Sequence, residues 1–181
     1  MPNLTATKPA EPLAPGDKPL PRLADRASAR LATWLARHSV DILRISLGLV
    51  FLGFAVLKYF PGVSPAEDLA VRTVETLSLG ILSGYGALLA TAIVETFIGL
   101  TLITGKLLRV GLLVLGGAMV GILSPLVLFF DDLFPGAPTL EAQYVLKDVV
   151  LVAAALVVTA RALGARLVTD KTNGAVNGQQ V

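Results

Sequence analysis

The chain has no cysteine and only one histidine, His38, among its 181 residues. The first absence excludes disulfides, thiol redox chemistry, iron–sulfur ligation and cysteine-based zinc sites. The second excludes a pair of axial histidines on a haem within one chain. Charge is scarce as well: charged residues make up 15% of the chain, against about 25% in soluble domains. In their place, hydrophobic residues reach 54% and the mean hydropathy is +0.74. Such a composition points to an integral membrane protein. The formal net charge of +2 is small, so the positions of the basic residues carry more information than their number.

Residues 1 to about 25 are rich in proline and alanine and lack periodicity, which predicts a disordered tail. The tail has no apolar core of a signal peptide followed by a small-residue cleavage site, so the first span is expected to stay in the protein. In residues 27–39, Leu31, Trp34 and Leu35 form a stripe flanked by Arg26, Arg30 and Arg37. This pattern fits either a short basic helix in the membrane interface or a cytosolic extension of the first span. His38 reads as an interfacial side chain. Residues 1–40 thus form a tail and a basic interfacial segment, and residues 164–181 a second disordered, cytoplasmic tail.

Residues 41–163 hold four apolar runs, at about 42–60, 87–104, 107–130 and 144–163. Each is near the roughly 20 residues that cross a bilayer. The expected fold is therefore all-α, an integral membrane four-helix bundle, with a short amphipathic helix in the first outer loop. That helix is signalled by Ser64-Pro65-Ala66-Glu67, a capping box with proline at the first helical position. Leu69, Val74, Leu77 and Ile81 would line one face of it, and it would end near Gly84-Tyr85-Gly86.

Charge sets the expected orientation. With both termini in the cytoplasm, twelve of the fifteen basic residues fall inside. Lys58 and Lys147 lie within spans, and Arg72 alone falls in an outer loop, among Glu67, Asp68, Glu75, Asp131, Asp132 and Glu141. Four spans satisfy the positive-inside rule at every loop.

Ionisable residues inside spans are rare and usually face a bundle interior, a partner or a cavity. Four qualify here: Lys58, Glu95, Lys147 and Asp148. All are expected in the outer half of the membrane, with Glu95 deepest. A lysine stem spans several Å, so either Lys58 or Lys147 can reach Glu95. Thr91, Glu95 and Gly99 share a face of span 2; Gly117, Gly121, Ser124 and Pro125 form a stripe on span 3. Small and polar residues belong at helix contacts, so these stripes are expected to turn inward. Pro125 is expected to kink span 3 and free a carbonyl. Lys58, Glu95, Lys147, Asp148, Thr91 and Ser124 are thus the candidates for binding or proton relay. No catalytic set and no metal site is evident. The cluster reads either as structural ion pairs or as a small site open to the outer face.

The segments LRISLGLVFLGFAVLKYFPG, ATAIVETFIGLTLITG, LRVGLLVLGGAMVGILSPLVLFF and YVLKDVVLVAAALVVTAR resemble the DoxX-like superfamily of bacterial membrane proteins, and within it the YkgB/RclC-type family. The resemblance covers about residues 41–163. It rests on the Lys58, Phe60, Pro61 step, Glu95, the SPLV of span 3 and the LKD at 146–148. It implies a four-helix protein of the bacterial inner membrane, linked to membrane redox or oxidative-stress systems, with quinone as a cofactor the family admits. The tails lie outside it, and the first outer loop is more compact than in some relatives.

Three functions remain open at this stage. The chain is an accessory, non-catalytic subunit of a membrane redox complex, with a membrane or soluble oxidoreductase as partner. It is a small transporter or proton-linked permease, which would gain from homo-oligomerisation. Or it is a structural membrane adaptor. The lipid bilayer is a partner in each reading, and no nucleic acid is.

Overall fold

The computed structural model describes residues 23–165. The expected disordered tails, with Lys8, Lys18, Arg22, Arg166 and Lys171, lie outside them, except that residues 23–25 already belong to the first helix and residues 164 and 165 close the end of the last one. The described residues form seven helices and no strand: α1 (Leu23–Lys58), α2 (Glu67–Leu77), α3 (Gly84–Thr104), α4 (Leu108–Leu123), α5 (Pro125–Leu128), α6 (Phe130–Leu133) and α7 (Leu140–Ala162). The chain divides into two units, Met1–His38 and Ser39–Val181.

In the first unit, Trp34 and His38 stack with ring centroids 5.0 Å apart, and the His38 Nδ1 lies 2.9 Å from the Trp34 carbonyl. Leu31, Trp34 and Leu35 are exposed. There is no break between the basic segment and the first apolar run. A separate interfacial helix is therefore not formed, and α1 is one helix of 36 residues, longer than the about 20 that a bilayer requires.

In the second unit, α3 packs against α4 and α2, and α4 against α7. The core gathers Leu47 and Phe51 from α1, Ile98 and Leu102 from α3, Leu112, Leu115 and Met119 from α4, and Val158 from α7. The outside is apolar too: Leu113, Val120 and Val150 are 78%, 73% and 70% exposed. A helical surface of this kind needs lipid rather than water around it. Three helical segments are long and apolar enough to cross a membrane: Arg26–Lys58, Gly84–Thr104 and Leu108–Leu128. This is a membrane protein. The helix α7 carries Lys147, Asp148 and Arg161 and is not among the three.

Two glycines decide how α1 and α3 meet. A Cβ on Gly48 would lie 3.0 Å from the Gly99 carbonyl, and one on Gly99 would lie 2.9 Å from the Gly48 carbonyl. Small residues let membrane helices bring their backbones into contact, and this pair is such a crossing. At the α3–α4 contact, Gly111 is seated directly on the Thr101 side chain. The end of α3 is closed from α1: the Arg44 guanidinium donates to the carbonyls of Leu102 and Ile103, which have no partner within the helix.

Several local expectations need correction. The capping box does not form. The helix α2 begins at Glu67, with no side-chain cap at Ala66, and the Glu67 carboxylate accepts instead from the Gly62 N–H at 2.7 Å. The helix also ends earlier than expected, at Leu77. Leu79 and Gly80 turn the chain with φ of 55° and 81°, and Gly84-Tyr85-Gly86 opens α3. Ile81 therefore lies off the helix and is 83% exposed.

Span 3 is not continuous to 130. The helix α4 stops at Leu123, and the chain continues as the short α5 and α6. Pro125 has no N–H to give to the Gly121 carbonyl four residues back. The Ser124 hydroxyl donates to that carbonyl at 2.7 Å instead, beside the Ser124 N–H at 3.2 Å. Gly117 does not turn inward with Gly121 and Pro125: it is exposed, and nothing lies within 4 Å of a Cβ built there. The helix of the fourth apolar run starts earlier than 144, at Leu140, where the Thr139 hydroxyl caps it by accepting from the Ala142 N–H at 3.1 Å.

Candidate functional site

The helix α1 ends in Lys58, and Glu95 lies in the middle of α3. Long side chains on a helix point back toward its N-terminus. The Lys58 stem does so, and its Nζ sits 5.6 Å from the centre of the Phe54 ring, four residues earlier. From there it donates to both carboxylate oxygens of Glu95, at 3.0 and 2.9 Å. Lys58 is 7% exposed and Glu95 6%. Of the two lysines that could reach Glu95, Lys58 is the one that does.

A second polar clasp closes the adjoining surface. The Tyr59 hydroxyl and Thr96 Oγ1 share a hydrogen bond of 3.0 Å, and the Tyr85 hydroxyl donates to the Tyr59 carbonyl at 3.2 Å. These contacts hold the end of α1 against α3 on either side of the ion pair.

Lys58 and Glu95 stand in the wall of a cleft of about 360 Å³. Phe51 and Phe54 of α1, Thr91 of α3, Ala118 and Gly121 of α4 and Asp148 of α7 also border it. The helix α2 covers it with Leu69, Ala70, Thr73, Val74 and Leu77. Most of the lining is apolar, as in small-molecule sites, and the volume falls in their range of about 300–1,000 Å³. Thr73 and Thr91 direct their hydroxyls to the carbonyls of Leu69 and Ala87, at 2.6 and 3.0 Å. Their donors are thus committed to their own helices. Asp148 is half-buried and makes no hydrogen bond or ion pair among the described residues. It lies within electrostatic range of both Lys58 and Glu95.

The cleft therefore brings together Lys58, Glu95, Asp148 and Thr91. Ser124 lies beside it without lining it, bound to the Gly121 carbonyl. Lys147 is apart from the cluster: it is exposed, with its Nζ 4.7 Å from the centre of the Tyr144 ring. One residue of helix, about 100° of rotation, separates Lys147 from Asp148 and sends them to different faces.

The roof was only partly legible. Leu69, Val74 and Leu77 share one face of the loop helix in the sequence pattern, but nothing in the sequence says that this face closes over Glu95. Phe54 carries no such mark, because a phenylalanine in an apolar span is indistinguishable from its neighbours; its spacing of four from Lys58 is the one signal in the sequence. Among the described residues, no group of three or more histidine, aspartate or glutamate side chains is placed to hold a metal ion. No protein family, curated protein or solved structure matches the chain.

Proposed function

We propose that the chain is a four-span protein of the bacterial inner membrane with both termini in the cytoplasm. Its cleft binds a small membrane-soluble amphiphile, and it serves as a non-catalytic accessory subunit of a membrane redox or oxidative-stress system of the DoxX-like kind. The observation that carries the binding role is a buried, fully engaged ion pair that lines an apolar cleft rather than being packed into the core. A pair needed only to fix packing gains nothing from an adjoining cavity.

The fourth span in this reading is α7. It has 23 residues, contributes Val158 to the core and turns Asp148 toward the cleft. Lys147 over Tyr144 then reads as an interfacial pair near the outer end of the span. Arg44, at the end of α3, shares that end of the bundle with Lys106 and Arg109, in keeping with a cytoplasmic side. The redox role, an oxidoreductase partner and quinone as the bound species rest on the resemblance of residues 41–163 to the DoxX-like superfamily.

Native mass spectrometry of the protein extracted from its own membranes tests this reading. A bound small molecule is expected on the native chain and not on Ala70→Trp, which fills the cleft from α2, and an oxidoreductase is expected to co-purify. Recovery of a ligand-free protein with no partner overturns the reading. A proton-linked permease is the second reading, favoured by a second carboxylate, Asp148, in the wall beside the Lys58–Glu95 pair. Equal liposome flux through native protein and Glu95→Gln would sink it.

A further inference from the structure

We infer that the cleft is built for a small hydrophobic cation, an amine or onium group on an apolar body, with Asp148 as its counter-ion. This rests on the reading of the cleft as a ligand site and names the ligand class.

The charged groups facing the cleft are Lys58 from α1, Glu95 from α3 and Asp148 from α7; α2 contributes no charged side chain to the lining. Two carboxylates thus stand beside one ammonium. Lys58 is already committed to Glu95 through both carboxylate oxygens. Asp148 is left over, a carboxyl group in a mostly apolar cavity, without a hydrogen bond or ion pair among the described residues. A charge in such surroundings is stabilised by an opposite charge or by donors brought to it.

Each ligand class meets this arrangement differently. An anion would face two carboxylates. A neutral carbonyl compound, such as a quinone, would find the Ser64 and Tyr144 hydroxyls in the lining, with Thr73, Thr91 and the lysine already engaged, but would bring no charge to Asp148. A cation would meet the unpaired carboxylate, with the ring of Phe51 in the same lining; the rings of Phe54 and Tyr144, also in the lining, already carry the Lys58 and Lys147 ammonium groups on one side. Aromatic faces attract desolvated cations, and most strongly the weakly hydrated ones. The remaining wall is mostly leucine, isoleucine, valine, alanine and proline, which suits an apolar body.

Equilibrium dialysis on the full chain in lipid nanodiscs tests the inference. The probes are tetraphenylphosphonium, a hydrophobic cation, and decylubiquinone, a neutral amphiphile. Saturable binding of tetraphenylphosphonium is expected, weakened by about tenfold or more in Asp148→Asn. Retention in Asp148→Glu, which keeps the charge, and loss in Ala70→Trp, which closes the cavity, would tie the binding to this site. The exposed Lys147→Ala should bind as the native chain does. Equal binding to Asp148→Asn, or binding of the quinone alone with loss in Ala70→Trp, overturns the cation while leaving the cleft a ligand site. Binding of neither probe overturns the cation, and the mass-spectrometric result then decides the ligand site on its own.

Discussion

The helices α1 and α3 meet in two ways. At Gly48 and Gly99 they touch backbone to backbone, with no side chain between them. At Lys58 and Glu95 two of the longest polar side chains in the spans bridge them, and a cleft opens alongside. The first contact is held by the absence of side chains and tolerates no addition. The second is held by opposite charges and tolerates no unilateral removal. A membrane protein has little hydrophobic force between helices to draw on, so close packing and polar contacts supply what holds the helices together. This pair of helices uses one of each.

Breaking the charged contact should have the largest effect. Lys58→Met leaves Glu95 buried without its partner, at an expected cost of about 3–5 kcal/mol. Thermal unfolding in detergent measures it. The double variant Lys58→Met with Glu95→Met should recover most of the loss, since matched apolar replacement of a buried pair is often neutral. A single variant as stable as the native protein would mean that water reaches the pair freely.

The glycine contact comes next. Gly99→Ala pushes a methyl group against the Gly48 carbonyl and the Leu52 backbone, neither of which is the free end of a flexible chain. A loss of about 1–3 kcal/mol is expected. Gly117→Ala, which has open space around it, should cause none and serves as the control. Equal unfolding midpoints for the two alanine variants would remove the distinction between a contact glycine and a lipid-facing one.

The smallest effect sharpens the same comparison by leaving both contacts alone. Lys147→Ala and Arg109→Ala each remove an exposed cation, and both should stay within about 0.5 kcal/mol of the native protein. Taken from the sequence, Lys147 would be the costlier loss, as one half of a buried pair. A larger drop for Lys147→Ala would restore it to the polar cluster.

How much of this was legible depended on the kind of signal. Helices in α1, α3, α4 and α7 follow from runs of apolar residues, a local property that does not depend on what packs against it. The helix α2 was legible too, although the device at its start was not. Ser64-x-x-Glu67 matches a capping box, but Pro65 and Ala66 form a turn and Glu67 reaches past Ser64 to Gly62. The kink expected at Pro125 follows from a missing N–H, which is a covalent fact; that the helix stops at Leu123 and that Ser124 satisfies the Gly121 carbonyl lies outside what the sequence shows. Gly117 and Gly121 carried the small-residue pattern, while the backbone-to-backbone helix contact is made by Gly48 and Gly99, which lie on different helices and form no pattern along the chain.

The sequence by itself determined that the chain is helical, that it belongs in a membrane, and that a few charges in apolar runs need a reason to be there. Composition and periodicity suffice for that, because hydrocarbon requires every backbone polar group to be satisfied within its own segment. Only the tertiary structure decided which lysine meets Glu95, that Lys147 faces outward and Asp148 inward, and that α2 covers the cleft between them. Those outcomes turn on helix rotation and on the depth at which glycines let two backbones meet. Both are set by contacts between residues far apart in the chain, such as the 37 positions separating Lys58 from Glu95.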